Sequence, residues 1–373
     1  MNFSLGDDQR ALKDTLIKFI DREYTFDDRW KIIRSTTGWS KTHWQQLAEI
    51  GVTALPISDS DGGLGGNGVD TLVVMEQLGR GLVVEPYIGC CILPVALLTR
   101  GASDIERAGM LERIAGGGLL AAFAHTDAGQ RYERVSTGTK ASFANGGFTL
   151  TGRKVVVLGG DCADHLLVSA RVGEDAGPSL FLVDANATGV TRLAYPMQDA
   201  QRGADIEFNN AAATLIGTQG GAQPAIDHAL DVACAALCAE AVGAMTELHK
   251  LTVEYLKTRK QFGRPIGMNQ ALQHRAVDML MHVEMSRSMA IDAAMAVSET
   301  NAVARAKTIS AAKVLVGQAC RFVGQNAVQL HGGIGVTHEL NVSHYFKRLT
   351  MIAATLGDTD WHLARYSDSL LMA

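Results

Sequence analysis

The chain has 373 residues, 47% of them hydrophobic and 20% charged, with a formal net charge of −5. That length allows two or three domains with real cores, and the composition is that of a soluble globular protein. The negative balance argues against nucleic acid or an anionic membrane as the main partner. No apolar run reaches the roughly 18 residues that a membrane span needs.

The opening stretch MNFSLGDDQRALKD has no basic n-region and no apolar h-region, so it does not read as an export signal. Leu12, Leu16, Phe19 and Ile20 then recur at helical spacing, with Asp7 or Asp8 placed as a cap. THWQQLAEIGV and DTLVVMEQLGRGL read as further helices. The turn-rich SDSDGGLGGNG separates them, and it lacks the flanking strand and the Lys-Ser/Thr of a phosphate loop.

From about residue 119 the pattern changes to short β-rich runs some ten residues apart: LLAAFAHT, GFTLTG, KVVVLGG, HLLVSAR, SLFLVDA, GVTRLAY and ADIEFNN. Such spacing favours an antiparallel barrel or sandwich over βαβ units. After Gly217, residues 222–257, 270–298 and 302–330 hold apolar and Ala positions at helical spacing, which implies a bundle or an oligomer core. The expected architecture is therefore an N-terminal all-α domain (1–118), a middle β-barrel or sandwich domain (119–217) and a C-terminal long-helix bundle (218–373). Six cysteines (Cys90, Cys91, Cys162, Cys234, Cys238, Cys320) form no CxxC pair, and a reducing, cytoplasmic setting fits. Cys234 and Cys238, four apart in an Ala-rich run, read as small core residues.

Arg259 stands at the end of a long helix before a turn, where a guanidinium can meet a diphosphate. Phe262 offers a flat face for a ring system. Gly332, Gly333 and Gly335 follow a helix. One of them caps it, and the others suit a close backbone approach to a ligand beside the Gln329 amide.

Three stretches carry a resemblance: TRKQFGRPI (258–266) followed by Gln270, QLHGGIG (329–335) and FAHTD (123–127). With the α–β–α order, the chain resembles the acyl-CoA dehydrogenase family over essentially its whole length. The resemblance implies FAD, with Arg259, Phe262, Gln270, Gln329, Gly332 and Gly333 on its adenine dinucleotide part, largely across a subunit interface. It also implies Thr126 at the isoalloxazine edge and Thr359 near the cofactor. Further implications are an acyl-CoA substrate, electron-transfer flavoprotein as acceptor, and a homotetramer or α2β2 heterotetramer. Asp231 matches the position of an aspartate that contacts the pantetheine chain. Its alternative reading is a solvated helix carboxylate.

The pattern also departs from the family. Thr126 is followed by Asp127-Ala128-Gly129-Gln130-Arg131-Tyr132, bulky where small residues are usual. Lys154-Val155-Val156-Val157-Leu158 has neither the tryptophan nor the threonine that face the flavin in relatives. Both losses weaken the flavin side of the site.

Near the C-terminus, LGDTDWH (356–362) occupies the place of aromatic-Glu-Gly-Thr, whose glutamate removes the α-proton while the β-hydrogen leaves as hydride to the flavin. Here Gly357 falls at the base position and Asp358 one residue later. Asp358 is the first choice for the base and Asp360 the second. The alternative is that Asp358 or Thr359 only caps the last helix. A metal site of Asp358, Asp360 and His362 is disfavoured, because three ligands entering one helix do not converge. Two other functions remain open at this point: a non-catalytic or half-active partner subunit of a heteromeric enzyme, and a flavin oxidase or monooxygenase on the same fold.

Overall fold

The computed structural model describes residues 5–135, 138–144, 146–173 and 177–371. Its N-terminal helices are α1 (Asp7–Glu23), α2 (Phe26–Ile33), α3 (Lys41–Glu49), α4 (Gly68–Gly81), α5 (Leu93–Gly101) and α6 (Asp104–Ala115). Strands β1 (Ala121–Ala124), β2 (Lys140–Ala144), β3 (Gly147–Leu158), β4 (His165–Val172), β5 (Pro178–Asp184), β6 (Val190–Pro196) and β7 (Arg202–Ile216) follow. The chain closes with α7 (Gln223–Thr258), a hairpin of β8 (Lys260–Gln261) and β9 (Arg264–Pro265), α8 (Gln270–Ala296), α9 (Ala302–His331), α10 (Asn341–Ala354) and α11 (Thr359–Leu371).

The helix-rich first and last parts and the strand-rich middle match the fold expected from periodicity. Two details differ. Gly6, not Asp7 or Asp8, caps α1, because the Gln9 side chain folds back and accepts the Gly6 N–H at 3.0 Å. Residues 223–258 also join into one helix long and apolar enough to cross a membrane, contrary to the expectation of no such run. Its most apolar stretch is 89% buried, as in the core helix of a packed bundle.

Two compact units divide the chain: residues 1–31, 68–83 and 234–373 in one, 32–67 and 84–233 in the other. The second holds the sheet. In it β3, β5, β6 and β7 pair antiparallel as expected, but β4 pairs parallel with β1 and β2. Leu150, Val157, Leu166, Val168, Phe181, Ile206 and Phe208 fill its core.

The first unit is helical, and its packing depends on small residues. A Cβ on Gly79 of α4 would lie 2.0 Å from the Glu240 carbonyl oxygen of α7, and one on Gly243 would lie 1.8 Å from that of Glu76. The two backbones therefore touch at glycines in both directions, so the Ala- and Gly-rich run at 233–246 serves close helix packing. Beside this crossing, Arg348 of α10 donates from Nε and Nη2 to the two Glu240 carboxylate oxygens, each at 2.6 Å, and both side chains are buried. Removing one partner of such a pair strands a charge in the core. Glu240→Ala is expected to lower unfolding free energy by about 3–5 kcal/mol, measured by urea denaturation. A loss below about 1 kcal/mol would mean that water already relieves the pair.

Candidate active site

In the sheet-bearing unit, β1 ends and leads directly into His125-Thr126-Asp127. Asp127 meets Lys154 of β3: Nζ and Oδ1 are 2.7 Å apart, and Lys154 is 0% exposed. The same carboxylate accepts the Thr139 hydroxyl at 2.7 Å and the Gly138 N–H at 2.9 Å, and Lys154 also donates to the His125 carbonyl at 2.7 Å. Burial pushes the Asp127 carboxyl up, but the Lys154 ammonium, Thr139 and Gly138 together hold it below the usual carboxylate range. Burial draws the Lys154 ammonium down to about 8 against the pull of Asp127. The pair pins the loop after β1 to the middle of β3. Thr126 sits in that pinned segment, half-buried, its carbonyl accepting the Val155 N–H at 2.9 Å.

One residue further, β3 bulges between Lys154 and Val157, and Val156 takes φ +52° with 53% exposure. A β-branched residue in that region is strained. The position is held because the Asp205 carboxylate accepts the Val156 N–H at 3.1 Å and is itself fixed by Tyr195 at 2.7 Å and Arg153 at 2.8 Å. Val156 thus stands outward on β3.

Asp231, expected near substrate, is 1% exposed and ion-paired with Arg134 at 2.9 Å. Arg134 also donates to the Asp227 carbonyl at 3.0 Å, and its own carbonyl accepts from Gln223 at 3.0 Å. Asp231 is therefore a buried anchor for the loop after Thr126, not a solvated helix carboxylate. A cleft of about 700 Å³ in this unit is lined by Arg100, Ser103, Glu106, Gly217 and Thr218, and no expected site residue lines it. Glu106 there serves the N-cap of α6 and the Gly217 N–H.

In the helical unit, α7 ends one residue before Arg259, and β8 and β9 form a tight hairpin whose tip is Phe262 (φ +52°) and Gly263 (φ +78°). Two positive φ values are the signature of a type I′ turn, which glycine accepts freely and phenylalanine at a cost. Phe262 is 101% exposed, so this strain holds an aromatic ring entirely off its own chain. Arg259, Gln270 and Gln329 are exposed or half-exposed as well. Gly332 caps α9 at φ +66°, and a Cβ added to Gly332 or Gly333 would meet nothing within 4 Å. An open glycine cradle, an amide, a guanidinium and a projecting ring fit the adenine dinucleotide part of FAD.

The LGDTDWH segment lies between α10 and α11. Lys313, buried on α9, donates to the Ile352 carbonyl at 2.8 Å and the Thr355 carbonyl at 2.9 Å, which finishes α10. Leu356 (φ +58°) and Gly357 (φ +115°) then reverse the chain. His362, fully buried, bonds the Leu356 carbonyl through Nε2 at 3.1 Å and Ser310 through Nδ1 at 3.3 Å. A Cβ on Gly357 would lie 2.5 Å from His362 Nε2, so no side chain fits at that position. Asp358 is half-buried and caps α11, its Oδ1 accepting the Trp361 N–H at 3.0 Å. Thr359 is half-buried at the start of α11, and Asp360 is exposed on the first turn. Among the described residues, no group of three His, Cys, Asp or Glu is arranged to hold a metal ion.

Sequence reasoning did not single out Lys154, Arg134, Lys313 or His362 for these structural roles. A lysine inside the run KVVVL was the one available signal, because a charge on a buried strand needs a partner.

The buried His125 gives a pH test of this unit. Its imidazole, stacked on Phe123 and bonded to Ser169 at 2.8 Å, is held down at about 3, first by burial and then by the Lys154 ammonium. The unfolded chain takes up a proton near 6.5 that the folded chain refuses, so stability present above that pH is lost as pH falls toward 3. In His125→Asn the pH dependence of unfolding free energy over that window should be shallower by up to one proton, about 1.4 kcal/mol per pH unit. An unchanged slope would show that His125 protonates in the folded state.

Three family models match: acyl-CoA dehydrogenase N-terminal domain over 6–118, middle domain over 121–211 and C-terminal domain over 220–371. The chain is 29% identical over 362 residues to "Acyl-CoA dehydrogenase IpdE2" of Mycolicibacterium smegmatis, covering 97% of this chain and 98% of the relative. Among solved structures it resembles a variant of the "Tcur3481-Tcur3483 steroid ACAD", with TM-score 0.90, 27% identity and 99% of each chain covered. It also resembles "FAD complex of PigA", with TM-score 0.89, 25% identity and 100% of each chain covered. The chain belongs to the acyl-CoA dehydrogenase family, as a flavoprotein oxidoreductase with FAD as its cofactor.

Proposed function

We propose that this enzyme removes the α-proton and β-hydrogen of an acyl-CoA thioester and passes the electrons to an electron-transfer flavoprotein, in the cytoplasm. The observation that carries this reading is the open glycine cradle at Gly332–Gly333 within a chain that matches all three family domains. FAD, when bound, supplies the two-electron acceptor for the β-hydrogen.

Arg259, Phe262, Gln270, Gln329, Gly332 and Gly333 would hold the dinucleotide of a neighbouring subunit, which makes the oligomer part of the site. The exposed Phe262 supports this, because a strained turn that presents a ring to water gains nothing in an isolated chain. A tetramer of like chains and an α2β2 assembly would both supply that neighbour. Thr126, in the segment pinned by Asp127 and Lys154, would contact the ring edge. Asp231 would act through Arg134 by fixing the loop beside it. Thr359 completes the cofactor side.

Asp358 is proposed to take the α-proton, with Asp360 second. The turn at Leu356–Gly357 replaces the usual side chain at the preceding position, and the cap to Trp361 fixes the Asp358 carboxylate in one orientation. The thioester α-proton is weakly acidic and must be acidified by donors to its carbonyl oxygen. The similarity to a steroid ACAD makes polycyclic acyl-CoAs the first class to try, beside straight-chain ones.

The test is turnover with electron-transfer flavoprotein as acceptor. Asp358→Asn should retain its flavin and lose at least about 100-fold in kcat, the usual contribution of a general base. Full activity in that variant would remove Asp358 from the mechanism. Turnover with dioxygen and none with the flavoprotein would point to an oxidase.

A further inference from the structure

We infer that Cys90 and Cys162 form a reversible redox site, a dithiol that a hydroperoxide converts to a disulfide. The two thiols are far apart in sequence, yet both donate to one acceptor, the Gly159 carbonyl: Cys90 Sγ at 3.7 Å and Cys162 Sγ at 3.4 Å. The backbones that carry them almost touch. A Cβ on Gly89 would lie 2.5 Å from the Leu158 carbonyl oxygen, and one on Gly159 (φ +68°) would lie 2.4 Å from Cys90 Sγ. Glycine at both positions lets the π-helical turn Ile88–Ile92 reach the end of β3, and this brings the sulfurs together.

Their environments divide the work. Cys162 is half-buried, so a small oxidant reaches it, whereas Cys90 is fully buried behind it. The Cys162 thiol beside it, then burial, push the Cys90 thiol up, with Cys162 again, Asp161 and Cys91 adding charge that also disfavours its thiolate. Cys90 is thus kept reduced until its neighbour has reacted. Cys91 lies next in sequence, but its thiol donates to the Thr53 carbonyl at 3.4 Å, another acceptor, and it is left out of the pair.

The chemistry balances with one hydrogen peroxide. The Cys162 sulfur takes one peroxide oxygen as the O–O bond breaks, giving a sulfenic acid and one water. The Cys90 sulfur then attacks the Cys162 sulfur. The S–S bond forms, the S–OH bond breaks, and the hydroxyl leaves with the Cys90 proton as a second water. The product ties the turn that follows β3 to the turn at 88–92. A dithiol reductant returns both thiols.

The experiment uses the intact chain, treated with hydrogen peroxide, quenched, denatured and assayed for free thiols and by peptide mass spectrometry. The six thiols of the chain should fall by two, with a Cys90–Cys162 cross-linked peptide, and recover with dithiothreitol. In Cys90→Ser the count should fall by one, and Cys162 should be trapped as a sulfenic acid by dimedone. Retention of all six thiols in the wild type, a bridge to Cys91, or sulfinic acid at Cys162 with Cys90 still free would each overturn the proposal. Loss of flavin turnover would leave this site standing, because its readout is the thiol count.

Discussion

A lysine with no exposed surface, ion-paired to an aspartate at 2.7 Å, organises the middle of this protein. An unpaired ammonium there would cost several kcal/mol, so Lys154 must find Asp127, and the chain around both must accommodate the pair. Asp127 accepts from Lys154 and draws in Gly138 and Thr139 as further donors. His125 lends its carbonyl. The loop that follows Thr126 is thereby closed at both ends, with Arg134 and Asp231 fixing its middle. Beyond Lys154 the strand bulges, and Val156 is left facing outward in a conformation held by Asp205.

A second buried lysine does similar work at the other end of the chain. Lys313 takes the last carbonyls of α10, and His362 takes the Leu356 carbonyl. Between them they set a turn with two successive positive φ values and no room for a side chain at Gly357. The turn at Leu356–Gly357 thus has a structural cause, and the acid that follows it becomes the cap of α11.

Much of this was legible in residue order. The long helices after Gly217 showed in their apolar spacing, and the middle strands showed in their short β-rich runs between turn residues. TRKQFGRPI and QLHGGIG carried the family, because glycines and an arginine at those places have little purpose in a plain helical bundle. Other features depend on partners that no local pattern reveals. Asp231 read as either a substrate contact or a solvated charge because its partner, Arg134, lies in a distant part of the sequence. The α1 cap went to Gly6 because Gln9 folds back, a choice between neighbours that propensity does not rank. The parallel pairing of β4 with β1 and β2 is set by tertiary packing, which strand spacing does not encode.

The proposed reaction needs a carboxylate and a flavin acting together on an acyl thioester. Anaerobic mixing of the purified flavoprotein with straight-chain and polycyclic acyl-CoAs tests that requirement most directly. Loss of the oxidised flavin band with at least one of them, and persistence of that band in Asp358→Asn, is the result expected. A chain that binds no flavin even as its natural oligomer, or a flavin that no acyl-CoA bleaches, would contradict it.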